Sequence, residues 1–443
     1  MVSAPPNDWR LAGPLQPMRF EATVEDCVVS EGEIPEGLVG GLYRSGPTWK
    51  RPTRQGCNGW WTMDGMVQAL TFDGEGRVDF RNRWIRTPKY RLEEQHGRSM
   101  FEWSDGFDDW RSYGFGEVTN RDRCNAGVPV GTSWVNAFPF QGDVVVSGEQ
   151  SSPPIRIDPI TLETKGFVAW SPQLSPGFVK PAGYGDGAFT PHPKWDAATG
   201  ELYGWTYRDV APYATLHWVK PDGSVRTRHL DEAPHGTILH DAWLTPTYMV
   251  LPFMPLIGDL KRCERGLSIY DWDTSLPIVI GLVRRDDFDG PVRWIDTGLE
   301  PQYIMHTLSA NEVDGVLQLD APIYDRPPLQ RWTSGHATLI GDAAHPMVPH
   351  LGQGAGQAIE DAYTLGVLLN GASVESLSER LATYERLRRP RTAFVQSVAR
   401  LAGKFYRTDF RDAGQRNATM GSWMKEVRGI LEHDADAAVV AAR

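Results

Sequence analysis

Cysteine is nearly missing from this chain: four in 443 residues (Cys27, Cys57, Cys124, Cys263), none in Cys-x-x-Cys spacing. That excludes a zinc ribbon and a disulfide-stapled scaffold, and it fits a reducing compartment. An excess of positive charge is missing as well. With 45 Lys+Arg against 56 Asp+Glu the formal net charge is −11, the wrong sign for nucleic acid, which needs a basic face. Long apolar runs are absent too. The longest, Tyr248–Ile257 and Leu276–Val283, are too short to cross a bilayer and each contains proline, so no transmembrane segment is expected. The opening residues, Met-Val-Ser-Ala-Pro-Pro-Asn-Asp, have neither a basic n-region nor an apolar h-region. No secretory signal is read, and a cytoplasmic location is expected.

What the chain does have is aromatic and turn-forming residues. Its 17 Trp, 16 Phe and 14 Tyr can fill a large core, and 45 Gly with 33 Pro imply many turns, hence a β-rich body. Met66–Thr71 and Arg77–Ile85 flank Asp73-Gly-Glu-Gly76. Gly142–Gly148 and Ile155–Asp158 form another such pair, and His217–Lys220 and Ser224–Arg228 flank Pro221-Asp222-Gly223. Short strands between Asp/Gly/Pro turns favour a propeller or large barrel over a βαβ sheet.

The character changes near residues 319–324. Ala337–Ile340 reads as a short apolar strand running into Gly341-Asp342-Ala-Ala-His345-Pro346. A helix is expected over Gln353–Leu369, stopped by Asn370-Gly371. A second is expected to open at the capping box Ser376-Leu-Ser-Glu379 and to be kinked or interrupted by Pro390. The expected division is 1–320 and 321–443.

Eleven histidines occur, and spacing alone does not group them. His192, His240 and His306 differ from the rest in standing at apparent strand ends, each followed by a turn or a new strand. On pattern alone, structural or surface histidines are the leading reading and a shared metal is the other.

Several longer strings are more specific. They are Ile34-Pro-Glu-Gly-Leu38 with Tyr43-Arg-Ser-Gly-Pro47, Met63-Asp-Gly-Met66, Asn82-Arg-Trp-Ile-Arg-Thr87, Gly148-Glu149 with Ile157–Thr164, Thr190-Pro-His-Pro-Lys194, and His240-Asp-Ala-Trp243. In this order, over roughly residues 8–320, the chain resembles the carotenoid cleavage oxygenases, the family that includes lignostilbene dioxygenases. The resemblance implies a seven-bladed propeller with Fe(2+) on its axis, and cleavage by O2 of a conjugated C=C bond in a small apolar or aromatic substrate. It implies His192, His240 and His306 as metal ligands and Glu149 as a carboxylate behind one of them. Neutral imidazoles suit Fe(II), and a carboxylate on the far ring nitrogen fixes the tautomer. The family's fourth histidine, in a Gly-Phe-His-Gly-like stretch, has no counterpart, so the propeller is expected to lack its last blades. The lysine and tyrosine with which stilbene-cleaving members hold a phenolic oxygen are replaced by Gly148 and Val118.

The C-terminal string Trp332–Pro346 with His350-Leu-Gly-Gln-Gly-Ala-Gly-Gln-Ala-Ile-Glu-Asp361 is similar to the second flavin motif of salicylate-hydroxylase-like FAD monooxygenases. The likeness runs from Tyr324–Leu329 to Tyr384–Arg391. It implies Asp342, Pro346, Gly352 and Gly354 as FAD contacts, with backbone N–H groups at a helix start approaching an electron-rich group. That family's opening Gly-x-Gly-x-x-Gly between a strand and a helix is not found here.

The fold expected is therefore mainly β, an incomplete seven-bladed-propeller-like body with an α-helical C-terminal segment. An iron dioxygenase is the reading taken forward. An FAD-dependent aromatic-ring monooxygenase remnant, and a non-catalytic fusion or inaccurate gene model, are the alternatives.

Overall fold

A computed structural model describes residues 17–30, 32–51, 63–100, 133–149, 153–174, 189–208, 211–258, 270–321, 327–348, 351–406 and 413–440. Val118 and Gly183–Gly187 lie outside the described residues, as does His350. Two compact units are present, Met1–Leu319 and Asp320–Arg443.

The first unit holds four four-stranded antiparallel sheets. The first contains β1 (Ala22–Val24), β2 (Val39–Thr48), β3 (Asp64–Asp73) and β4 (Val78–Trp84) in the order β1-β4-β3-β2. Helix α1 (Pro88–His96) follows it. The second runs β5 (Asn136–Phe140), β6 (Asp143–Ser147), β7 (Ile155–Ile157), β8 (Thr164–Phe167), and the third β9 (Lys194–Asp196), β10 (Glu201–Tyr207), β11 (Ala214–Val219), β12 (Val225–His229). The fourth begins with β13 (Trp243–Leu244) and β14 (Tyr248–Phe253), then a separate hairpin of β15 (Leu256–Gly258) and β16 (Tyr270–Trp272) intervenes. It resumes with β17 (Val279–Arg284) and β18 (Arg293–Asp296), and the hairpin β19 (Ala310–Val313)–β20 (Val316–Leu319) ends the unit. None of these described sheets closes on itself.

Turn chemistry sets the hairpins. Asp196 Oδ1 accepts the backbone N–H of Ala198 at 2.9 Å, and Gly200 closes the β9–β10 turn at φ +73°, where a side chain would be strained.

The period-2 alternation of the strands then stacks the sheets in chain order. Val144 and Val146 of β6 pack with Val67 and Ala69 of the first sheet. Val145, between them, faces the other way onto Leu202 and Val219 of the third. In β10, Leu202 belongs to that same layer, whereas Tyr203, Trp205 and Tyr207 point on to Met249, Leu251 and Phe253 of the fourth sheet. Both faces of the central strands β6 and β10 are buried. Each such side chain contributes about 1.5–3 kcal/mol of burial.

The second unit is helical. A two-residue-per-strand hairpin, β21 (Thr333–Ser334) and β22 (Ala337–Thr338), precedes a single 3-10 turn at Gly341–Ala343. Then come α2 (Gly354–Leu369), α3 (Val374–Tyr406), α4 (Ala413–Leu431) and α5 (Ala435–Val440). Trp332, Ala344, Leu368, Tyr384 and Val439 form its core.

Three expectations need correction here. The strand over Ala337–Ile340 is shorter, because it pairs only with Thr333–Ser334. Helix α3 starts at Val374 rather than at the Ser376 box, with Ser376 Oγ accepting from the Ser373 backbone N–H at 3.0 Å. Of the two outcomes expected at Pro390, an interruption does not occur, since the proline lies inside the helix. Its flanks there are tied down: Arg388 Nε donates to Asp361 Oδ1 at 2.7 Å, and Arg391 Nη2 to Glu360 Oε1 at 3.2 Å. These ties to α2 hold both sides of a residue that would otherwise break a helix.

Candidate metal centre

Each candidate histidine stands just ahead of the first strand of a sheet. His192 precedes β9, and the proline after it restricts its backbone to extended geometry. Its own N–H donates to Thr190 Oγ1 at 3.0 Å, and the Pro191 carbonyl accepts from Asn136 Nδ2 at 2.9 Å. His240 precedes β13, and the Leu239 carbonyl just before it accepts the indole N–H of Trp205 at 2.6 Å. His306 precedes β19, and the Tyr303 hydroxyl donates to the Ile238 carbonyl at 3.2 Å. The sheets thus deliver three imidazoles to one place, each by a short anchored segment.

There the rings converge. His192 Nε2 and His240 Nε2 are 3.0 Å apart, and His240 Nε2 and His306 Nε2 are 3.2 Å apart. All three ligand atoms lie within 4.8 Å of one another. Two imidazole nitrogens bound at right angles to one divalent ion, each at about 2.1 Å, would sit about 3.0 Å apart. The spacing fits a shared ion.

Electrostatics fits as well. Glu149, which follows β6, sets Oε2 2.7 Å from His240 Nδ1. An Nδ1–H held on that carboxylate leaves the Nε2 lone pair of His240 facing the other two rings. Burial works against a charge on His240, but the charge and hydrogen bond of Glu149 outweigh it, and the net shift is upward. His192 has no such partner: burial, the two neighbouring rings and Lys194 push it down to about 2. Burial and His240 bring His306 to about 4. At neutral pH His192 and His306 are uncharged, the form in which imidazole binds a metal.

Sequence reasoning passed over Tyr207, whose hydroxyl donates to Glu149 Oε1 at 2.5 Å. Tyr207 ends an aromatic strand, and nothing in Glu201-Leu-Tyr-Gly-Trp-Thr-Tyr207 separates it from a core tyrosine.

Asp342, Pro346, Gly352 and Gly354 belong to the second unit. Asp342 lies in the 3-10 turn, with Oδ1 3.7 Å from where a Cβ on Gly354 would stand. The Pro346 carbonyl accepts Gln396 Nε2 at 2.6 Å, and Gly352 sits at φ +61° two residues before α2. Among the described residues of this unit the only strands are β21 and β22, so no strand–turn–helix phosphate cradle accompanies these residues. The polar centre of the unit is instead Asp361, which accepts from His345 Nε2 at 2.6 Å, the Gly341 N–H at 2.9 Å and Arg388.

Comparison with known proteins matches two families to the chain, over ranges that overlap. Residues 15–348 match the family described as retinal pigment epithelial membrane protein, RPE65. Residues 325–399 match the FAD binding domain family. The resveratrol cleavage oxygenase 1 of Aspergillus fumigatus is 29% identical over 351 residues, 78% of this chain and 64% of that protein. The crystal structure of Pseudomonas brassicacearum lignostilbene dioxygenase superposes with a TM-score of 0.56 at 27% identity, over 72% of this chain and 62% of that one. Salicylate hydroxylase of Pseudomonas putida is 39% identical over 130 residues, 27% of this chain and 28% of that protein. The chain therefore spans a little under two thirds of the length of the oxygenases it resembles. Among the described residues no helix is long and apolar enough to cross a membrane.

Proposed function

The chain belongs to the RPE65 family, and from that premise we propose that His192, His240 and His306 hold Fe(II) for the oxidative cleavage of a conjugated C=C bond. The observation that carries this reading is the convergence of three Nε2 atoms with Glu149 behind the middle ring. Iron held there would bind and activate O2. The overall change balances without a further reductant: the C=C bond breaks, two C=O bonds form, and O2 supplies both oxygen atoms.

The chain's own residues have separable tasks. Glu149 holds the Nδ1 proton of His240 and so keeps Nε2 available, while Tyr207 holds the other carboxylate oxygen in place. Uncharged His192 and His306 complete a cationic centre with no carboxylate among its three protein donors. Such a centre leaves positions open for O2 and substrate.

The substrate proposed is a small, apolar, conjugated molecule of the stilbene or apocarotenoid class. Buried Gly148, standing where a lysine would grip a phenolic oxygen, offers no side chain for that purpose. Apolar contact then governs binding more than a phenol anchor does. The two units are proposed to descend from the two matched families, the second serving as a helical appendage. No step is assigned to a flavin.

The test is anaerobic purification with iron quantified, followed by O2-dependent turnover of resveratrol and of an apocarotenal. One iron per chain, abolished in His192→Ala, His240→Ala and His306→Ala, with aldehyde products, is expected. Full iron loading with no cleavage of either substrate class would sink the catalytic reading. A yellow, iron-free protein absorbing near 450 nm would move the assignment to the second unit.

A further inference from the structure

The residues that follow the three histidines are bonded to one another as closely as the histidines are grouped. Lys194, two residues after His192, places Nζ 2.7 Å from Asp241 Oδ1. Asp241, next to His240, accepts at Oδ2 from both the backbone N–H and the hydroxyl of Thr307, at 2.8 and 2.9 Å. Thr307 is next to His306. Lys194 Nζ also donates to the Thr307 hydroxyl at 3.2 Å, and that hydroxyl lies 2.8 Å from the Ala242 carbonyl. The Ala242 N–H takes the last place on Asp241 Oδ1, at 2.8 Å.

Asp241 therefore meets four donor groups, two at each oxygen, with the single proton of the Thr307 hydroxyl shared between Oδ2 and the Ala242 carbonyl. Its side chain is 4% exposed. Both oxygens are turned to these donors, and Asp241 is not among the ligand atoms that converge with the three imidazoles. Its partners come from three chain segments that are separated widely in sequence, and each segment carries one ligand.

We infer that Asp241, bridging Lys194 and Thr307 beside the three imidazoles, is a positioning residue that sets the separation of His192, His240 and His306 and hence the affinity and geometry of the metal site. The inference rests on the reading of those histidines as a metal centre. Loss of one acceptor oxygen would leave a buried N–H or the Lys194 ammonium without its partner, and the three segments would relax apart. The ligands would remain, but not at the spacing that suits one ion.

Cobalt(II) alone is the probe, titrated into the metal-free full-length chain and followed by its visible absorption, with the melting temperature of each metal-free variant measured in parallel. Asp241→Asn is expected to raise the Co(II) Kd by about 10- to 100-fold, as loss of a partner behind a ligand commonly does, and to change the absorption envelope. Thr307→Val is expected to give a smaller rise, while Thr307→Ser, which keeps both donors, restores the wild-type Kd and spectrum. If Asp241→Asn does not fold, the Thr307 pair carries the comparison. Wild-type Kd and spectrum in both Asp241→Asn and Thr307→Val, whatever their melting temperatures, would overturn the inference while leaving the metal site standing. A wild-type chain that takes up no Co(II) would remove the metal reading, and this inference with it.

Discussion

A buried imidazole takes its charge from the partner it finds. His240 finds a carboxylate and is pushed up; His192 and His306 find other rings and are pushed down. His217, in the middle of β11, finds only a hydroxyl. It is wholly buried, with Nδ1 3.1 Å from Thr227 Oγ1 and Nε2 without a hydrogen-bond partner among the described residues. Burial, with some help from His229, lowers it from 6.5 to about 3. The unfolded chain therefore binds a proton here that the folded chain refuses, and stability must rise with pH between those values. The stabilisation is complete above about pH 6.5 and is lost as pH falls toward about 3, at up to ~1.4 kcal/mol per pH unit. Denaturant unfolding at several pH values would check this. His217→Asn should flatten the curve between pH 6 and 4 relative to wild type, whatever its absolute stability; parallel curves would refute the assignment.

At the scale of an element, β10 is the strand on which the third sheet's packing turns. Gly204 sits between Tyr203 and Trp205, on the opposite face, against the ring of Phe189. A Cβ there would lie 2.1 Å from Phe189 Cζ. Phe189 is itself packed on Trp170 at 5.2 Å and leads directly into Thr190-Pro191-His192. Gly204→Ala should therefore cost about 1–3 kcal/mol through overpacking and should also disturb the ligand segment. The expected signs are a lower melting temperature together with weaker metal uptake. A stability loss with unaltered uptake would show that the strain stops at Phe189.

Part of the fold could be read in advance. Turns such as Asp73–Gly76 and Pro221–Gly223 announce themselves, because Asp and Gly there do local jobs that few other residues can. The strands they join followed, since alternation is a local property. The three histidines needed the resemblance: nothing local marks an imidazole that will meet two others across more than a hundred residues of chain. Tyr207, Lys194, Asp241 and Thr307 were still less visible, each resembling an ordinary core or turn residue until its partner arrives from another sheet. Pro390 argues locally for a break, and it was the Arg388 and Arg391 ties to α2 that overruled it.

For the molecule as a whole, each unit carries its own packed centre. In the second this is the Asp361 network, where Arg388 is 3% and Asp361 0% exposed at the side chain. Without Asp361 the Arg388 Nε, the His345 ring and the Gly341 N–H lose their acceptor while Arg388 keeps Glu360, and leaving a buried group unsatisfied typically costs ~1–3 kcal/mol. Asp361→Ala should accordingly lower the stability of the helical unit by that order and leave the sheets untouched. A chain with two separate cores also need not unfold in one step. Calorimetry is expected to resolve two transitions in wild type, with only one moving in Asp361→Ala. A single transition displaced as a block would show that the units unfold together.

The stacked sheets leave some apolar surface in view, including Val39 and Leu42 on β2, at 72% and 63% exposure. The three ligand segments behave differently, and their organisation bears on inheritance. Each histidine has its tie within the next two positions, as His-x-Lys, His-Asp and His-Thr. The instructions for the site are thus written as three short words rather than scattered letters. A single-residue insertion inside any one word would separate a ligand from its tie, so these three places should tolerate changes of chain length least.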